Sequence, residues 1–150
     1  MSRCGGPLVL ALAIAAGFAG CSSGGTGKDE CRTIEEARCD AGVYCKLGLD
    51  SSEVELCKRF SRDNCIHGLP TDAPRESDVN KCVNAIHAAG LCARRQGSRA
   101  LASECLALEG AVSADDTTVC DIVTDPDLSS ECAFLTDKPV EPKPKDAGAD

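Results

Sequence analysis

Chemistry in this chain would have to come from its cysteines and its few histidines: twelve Cys and two His, His67 and His87, in 150 residues. Such side chains serve metal binding, nucleophilic catalysis or covalent cross-linking. A metal centre could draw on Cys65, His67, Cys82 and His87. Pre-formed zinc sites, however, rest on closely spaced ligand pairs, and the chain has no C-x-x-C anywhere, hence no c-type haem attachment or thioredoxin-like pair either. A hydrolase would need a nucleophile, a base and an orienting acid, with only His67 and His87 to act as the usual base. Carboxylates are plentiful, yet nothing in the spacing singles out two of them as a glycosidase-like pair. Trp is absent, and Tyr44, Phe60 and Phe134 are the aromatic residues after position 20. Platforms for sugars or nucleobases are therefore missing, and the three rings are expected in the core. Cross-linking remains, with Cys31, Cys39, Cys45, Cys57, Cys65, Cys82, Cys92, Cys105, Cys120 and Cys132 as disulfide candidates.

Composition says why such cross-links are needed. From Cys21 onward the chain holds 24 Leu, Ile, Val and Phe in 130 residues. That is below the ~20 % under which acidic chains tend to stay unfolded. Disulfides offset a thin core by restricting the unfolded chain, at typically ~2–4 kcal/mol each, and they persist in oxidising compartments. Over the same stretch 15 Lys and Arg face 24 Asp and Glu. An acidic excess of that size repels nucleic acid and anionic headgroups. The clusters Lys58, Arg59, Arg62 and Arg94, Arg95, Arg99 lie among carboxylates and read as solvated faces.

The amino-terminal segment supplies the oxidising address. Arg3 precedes an apolar run from Leu8 to Ala16, and the small-residue stretch Gly17-Phe18-Ala19-Gly20 leads to Cys21. This is the layout of an export signal. Its apolar part, Leu8 to Gly20, holds 13 residues, short of the ~20 that a spanning helix needs. Phe18-Ala19-Gly20-Cys21 looks like a lipobox, with Phe18 where Leu is usual, and residues 1–27 resemble bacterial lipoprotein precursors. The resemblance implies a signal peptide over 1–20, a diacylglyceryl group on the Cys21 sulfur, cleavage before Cys21, and acylation of the new amine, palmitate being the kind of chain implied. Several acyl chains hold a protein firmly at a membrane where one alone binds marginally. The family's inner-membrane retention signal is an Asp after the lipidated Cys, and Ser22 stands there, so the outer membrane or cell surface is implied. Parity agrees with lipidation: eleven cysteines remain after residue 20, and a thioether at Cys21 leaves ten that can pair completely.

Elements that could position the cysteines follow from periodicity and caps. Residues 21–30 read as a lipidated, flexible Gly/Ser tether, residues 31–137 as a cysteine-rich helical domain, and 138–150 as a disordered Pro/Lys/Asp tail. Thr33-x-x-Glu36 and Ser52-x-x-Glu55 fit capping boxes and predict two helix starts. Ser77 can cap a third helix whose stripe is Val79, Cys82, Val83 and Ile86, with Gly90 as its stop. A fourth is predicted over about 98–108, and short helices over 119–123 and 128–135, with a turn at Thr124-Asp125-Pro126-Asp127. Strand patterns are scarce, so the fold class is all-α, a small disulfide-rich bundle. Cys45 and Cys57 share their spacing with Cys120 and Cys132, with Asp50 and Asp125 at matching positions. If each is a clamped helix–turn–helix, Cys45 pairs with Cys57 and Cys120 with Cys132. Sequence alone leaves about 945 pairings of ten cysteines open.

Taken together, the sequence points to a lipid-anchored, disulfide-stabilised cell-envelope protein with a non-catalytic binding or structural role, reaching the membrane through its anchor, with a protein as the class of partner expected. It calls for no cofactor, no metal and no nucleic acid. The alternative reading is an exported enzyme or metal-binding protein using dispersed carboxylates with His67 or His87.

Overall fold

The computed structural model describes residues 27–45, 50–69, 73–105, 107–108 and 110–136. The segment read as an export signal, Cys21 and residues 138–150 lie outside these residues. The described part is all-α, with helices α1 (Lys28–Gly42), α2 (Ser51–Asn64), α3 (Glu76–Gln96) and α4 (Val119–Thr124), and short 3-10 turns between and after them. Among the described residues, β pairing is limited to the isolated bridges Leu101 with Thr118 and Val112 with Ser129.

Helix α1 starts five residues before the predicted Thr33. Gly27, with φ of 70°, turns the chain into it, and its carbonyl accepts the first bond from the Cys31 N–H at 2.9 Å. Asp29 and Glu30 lie in the first turn, where the helix dipole favours carboxylates. Lys28 to Glu30, read from sequence as tether, are thus helical. Thr33 is interior, its hydroxyl donating back to the Asp29 carbonyl at 2.8 Å rather than capping. Ile34, Ala37 and Ala41 make the helix's buried stripe.

The cap of α2 is displaced two residues from Ser52/Glu55. The Asp50 carboxylate accepts from the Ser52 and Glu53 N–H groups at 2.7 and 3.0 Å, and the Glu53 carboxylate accepts from the Asp50 N–H at 2.7 Å. A carboxylate is the stronger acceptor at a helix start, and the Ser52 hydroxyl donates to the same carboxylate at 2.6 Å. Val54 and Ser61 are buried, whereas Phe60, expected in the core, is 67 % exposed on the outer face beside Leu56. Tyr44 and Phe134 do pack against the core, half-buried.

Helix α3 runs 21 residues and is the spine of the molecule, bearing Val79, Cys82, Ala85, Ile86, Ala89, Cys92 and Ala93 on its buried side. Its amino-terminal cap position is Arg75, one residue before the helix, so Ser77 falls inside the first turn. It also passes straight through Gly90. A Cβ at Gly90 would stand 2.8 Å from the Ala41 Cβ and 3.1 Å from its Cα. The glycine is there to let α1 and α3 approach, at the ~1 kcal/mol that glycine costs a helix interior relative to alanine. The stop is Gly97, whose φ of 103° ends the helix.

Over 98–108, predicted as a fourth helix, the described residues form one three-residue 3-10 turn at Ala102–Glu104. The backbone there is committed across the fold: the Ala102 N–H donates to the Thr117 carbonyl and the Val119 N–H to the Ala100 carbonyl, each at 2.9 Å. Tertiary pairing takes donors and acceptors that a helix would use internally. Immediately afterwards Thr118 and Asp121 form a capping box that starts α4, burying Val119, Ile122 and Val123. The predicted final helix is a pair of 3-10 turns, Pro126–Leu128 and Ser130–Leu135. Helix α3 is packed between α1 on one side and α4 with the Ser130–Leu135 turn on another, while α1 also touches α4 and α2 packs on α1.

Candidate functional site

The cysteines are the chemically distinctive residues, and the fold brings eight of them into four bridges: Cys31 with Cys65, Cys39 with Cys57, Cys45 with Cys120, and Cys82 with Cys132. Their Cα separations, 4.7–5.8 Å, suit disulfides. The pairings Cys45 with Cys57 and Cys120 with Cys132 are therefore incorrect. The matching spacings do not mark two clamped hairpins, because Cys45 follows α1 and faces α4, whereas Cys57 lies in mid-α2 against Cys39 of α1. Each bridge joins elements that neighbour one another in space. The two amino-terminal ones attach α2 and its following turn to α1, and the other two tie α4 and the last turn to the α1/α3 pair.

Cys92 and Cys105 are both buried and unbridged. They lie in one core cluster, 3 % and 5 % exposed, Cys92 on α3 and Cys105 directly after the Ala102–Glu104 turn. Burial, reinforced by the adjoining Cys105 thiol, pushes the Cys92 thiol up to about 12. At neutral pH it carries almost no thiolate, so as a nucleophile or metal ligand it is suppressed.

Three polar contacts hold the framework. Arg38 of α1 donates from Nε to the Val123 carbonyl at 3.0 Å and from a terminal nitrogen to the Thr124 carbonyl, with Glu35 at 2.6 Å on its other side. Its cation meets the carbonyl end of α4, where the helix dipole is negative, so it joins α1 to α4 electrostatically as Cys45–Cys120 does covalently. Sequence reasoning passed over Arg38. The local signal that could have found it is the three-residue spacing to Glu35, whereas the carbonyl acceptors lie 85 and 86 residues away. Lys58, read as part of a solvated face, instead pairs with Asp40 of α1 at 2.8 Å, and that hydrogen bond raises its affinity for the proton. Asp50 is held below the usual carboxylate range by the Ser52 hydroxyl and by the Glu53 and Ser52 N–H groups.

The two histidines are exposed, His87 on α3 and His67 in the Cys65–His67 turn. His87 borders a shallow depression of about 280 Å³ with Asp40, Tyr44 and Leu91. His67 is not among that depression's lining residues. Among the described residues, no three His, Cys, Asp or Glu side chains are grouped to hold a metal ion. The depression near the end of α3, about 940 Å³, is wide open and bordered by Arg94, Arg99 and Glu104. There Arg94 lies over the Tyr44 ring, 5.6 Å from its centroid. Another, of about 650 Å³, lies between Lys81 and Asn84 of α3 and Glu131. In the latter the Ser130 hydroxyl donates to the Glu131 carboxylate at 3.3 Å, and neither depression has a histidine among its lining residues. No helix among the described residues is long and apolar enough to cross a membrane. Phe18, Ala19, Gly20 and Cys21, expected from sequence as a lipidation motif, lie outside the described residues, as does the 138–150 segment. Comparison of the chain with protein-family models, with curated proteins and with solved structures finds no match.

Proposed function

We propose that this is a lipid-anchored cell-envelope protein whose disulfide-braced helical domain has a non-catalytic binding or structural role. The observation that carries this reading is the lipobox-like Phe18-Ala19-Gly20-Cys21 next to a domain cross-linked four times. Bridges of that number belong to an oxidising compartment, which is where the export segment would deliver the chain. Supporting it further, α1 begins at Lys28 with Gly27 as its cap, so the cap lies six positions after Cys21. A link of that length reaches about 22 Å at most, even fully extended. The domain would therefore stand close to its membrane, with the Cys31–Cys65 bridge nearest the anchor. With Ser22 after the lipidated residue, the outer membrane or cell surface is the proposed location, and a protein the proposed class of partner.

Mass spectrometry of the intact protein, extracted from membranes of its native host, tests the proposal. The expected product begins at Cys21, carries a diacylglyceryl thioether and an amide-linked acyl chain, and is lost from the membrane fraction in Cys21→Ser. A mature chain with an unmodified Cys21, or one that starts elsewhere, would overturn the anchor.

A further inference from the structure

We propose that Cys92 and Cys105 form a fifth disulfide, which pins the carboxy-terminal end of α3 to the Ala102–Glu104 turn and completes the pairing of the domain's ten cysteines. The juxtaposition rests on the fold. The chain leaves α3 through the positive-φ Gly97, and the segment after it is drawn back onto the core by the Ala102–Thr117 and Val119–Ala100 backbone bonds. Cys105 is then fixed by its own N–H, which donates to the Ala102 carbonyl at 3.1 Å. This return brings Cys105 into the same buried cluster as Cys92, with its thiol near enough to act on that of Cys92. Two sulfurs without a third ligand make a poor metal site, and no such third ligand is grouped with them among the described residues. The alternative use of adjoining thiols is a bond between them.

The step is thiol–disulfide exchange, with an external disulfide, small-molecule or protein, as the two-electron oxidant. A thiolate from one cysteine attacks that disulfide and forms a mixed disulfide, releasing one thiol. The second cysteine then displaces the other half, giving Cys92–Cys105 and two reduced thiols, with the protons from the two cysteines transferred to them. Burial sets the order of events. In the packed core both sulfurs are sheltered from a bulky oxidant and Cys92 is held as the thiol, so the bridge must close before residues 98–105 dock on α3. Once made, it is shielded from reductant in the same way. The bond requires only the class of oxidant that closes the other four bridges and does not depend on the lipid anchor.

The test is alkylation of the natively expressed full chain without reduction, in denaturant so that burial hides nothing, followed by non-reducing peptide mapping. The expected result is no label on Cys92 or Cys105 and a peptide pair linking them. Label on both while the other eight remain bridged would overturn the fifth bridge alone, as would either residue joined to a different cysteine. Label on all ten would remove the oxidising compartment as well, so failure of the bridge and failure of the proposed function are distinguishable. A kinetic arm offers dithiothreitol to the purified, oxidised protein. The 92–105 link should be reduced at least tenfold more slowly in the folded protein than in denaturant, and equal rates would overturn the proposed shielding.

Discussion

Helix α2 and the α1/α3/α4 unit are both helical, both cross-linked and built from the same sparse supply of apolar residues, yet they are held by different forces. In the unit, Ile34, Ile86, Ile122, Val119 and Val123 are almost wholly buried and meet in one cluster. Helix α2 contributes nothing to that cluster. It buries Val54 and Ser61 against α1 and leaves Leu56 and Phe60 exposed. Its attachment is covalent and polar: Cys39–Cys57 at mid-helix, Cys31–Cys65 just past its end, and the Lys58–Asp40 ion pair between them. The contrast shows how a chain with few apolar side chains can still hold a peripheral helix. Burial is concentrated where three helices converge, and a helix packed mainly on one other relies on its cross-links for attachment.

This contrast can be broken most severely from the core side. Ile86→Ala removes a side chain with no exposure, and a large-to-small change of that kind costs about 2–5 kcal/mol. The unfolding midpoint in denaturant should fall accordingly, and circular dichroism and core amide exchange should report the same shift. Val54→Ala, the equivalent change on α2, should cost about 1–2 kcal/mol. Equal losses at the two sites would mean that α2 shares the core after all.

Removing Cys39–Cys57 with a double alanine variant opens a link across 18 residues, worth about 3 kcal/mol by loop-closure entropy. Because α2 lies outside the main cluster, the loss should be local. Amide protection should fall in residues 54–64, while α3 keeps its protection. Uniform loss along both helices would show a single cooperative unit and dissolve the distinction.

The smallest effect is electrostatic and is read on α2 against the middle of α3, because Asp78 in the first turn of α3 is likewise held below its usual value by Arg75. The folded Asp50 titrates below its usual value, so its cap contributes fully above that value and loses its contribution as pH falls through the folded one. Lys58 has the opposite sign: raised by Asp40, its contribution is full below the usual lysine value and is lost as pH rises through the folded one. Amide exchange of α2 should therefore quicken, relative to the middle of α3, at the acid and alkaline extremes. Asp50→Asn should flatten the acid limb and leave the alkaline one.

Much of this architecture is legible in the residues. The all-α class, the stripe from Val79 to Ile86 and the short carboxy-terminal helical segments follow from periodicity, and a helix start near residue 51 follows from capping chemistry. Where the reading slipped, a local signal was outcompeted. Asp50 outbid Ser52 as a cap acceptor, Gly90 serves a helix crossing instead of a stop, and residues 98–108 surrender helical bonds to partners at Thr117 and Val119. At the candidate site, the sequence named the reactive residues but had no means of pairing them. Arg38 escaped notice because its carbonyl partners lie on another helix.

By itself, then, the sequence determined the need for cross-links, since too few apolar residues and an even number of cysteines after Cys21 are properties of composition. It also carried the export-like leader, an order of short segments that has meaning without a fold. The tertiary structure alone decided which sulfur meets which, because a disulfide requires two Cα atoms within about 7 Å. Proximity of that kind belongs to packed helices. Cys45 reaches Cys120 across 75 residues and passes over Cys57, far closer in the chain, because α1 lies against α4.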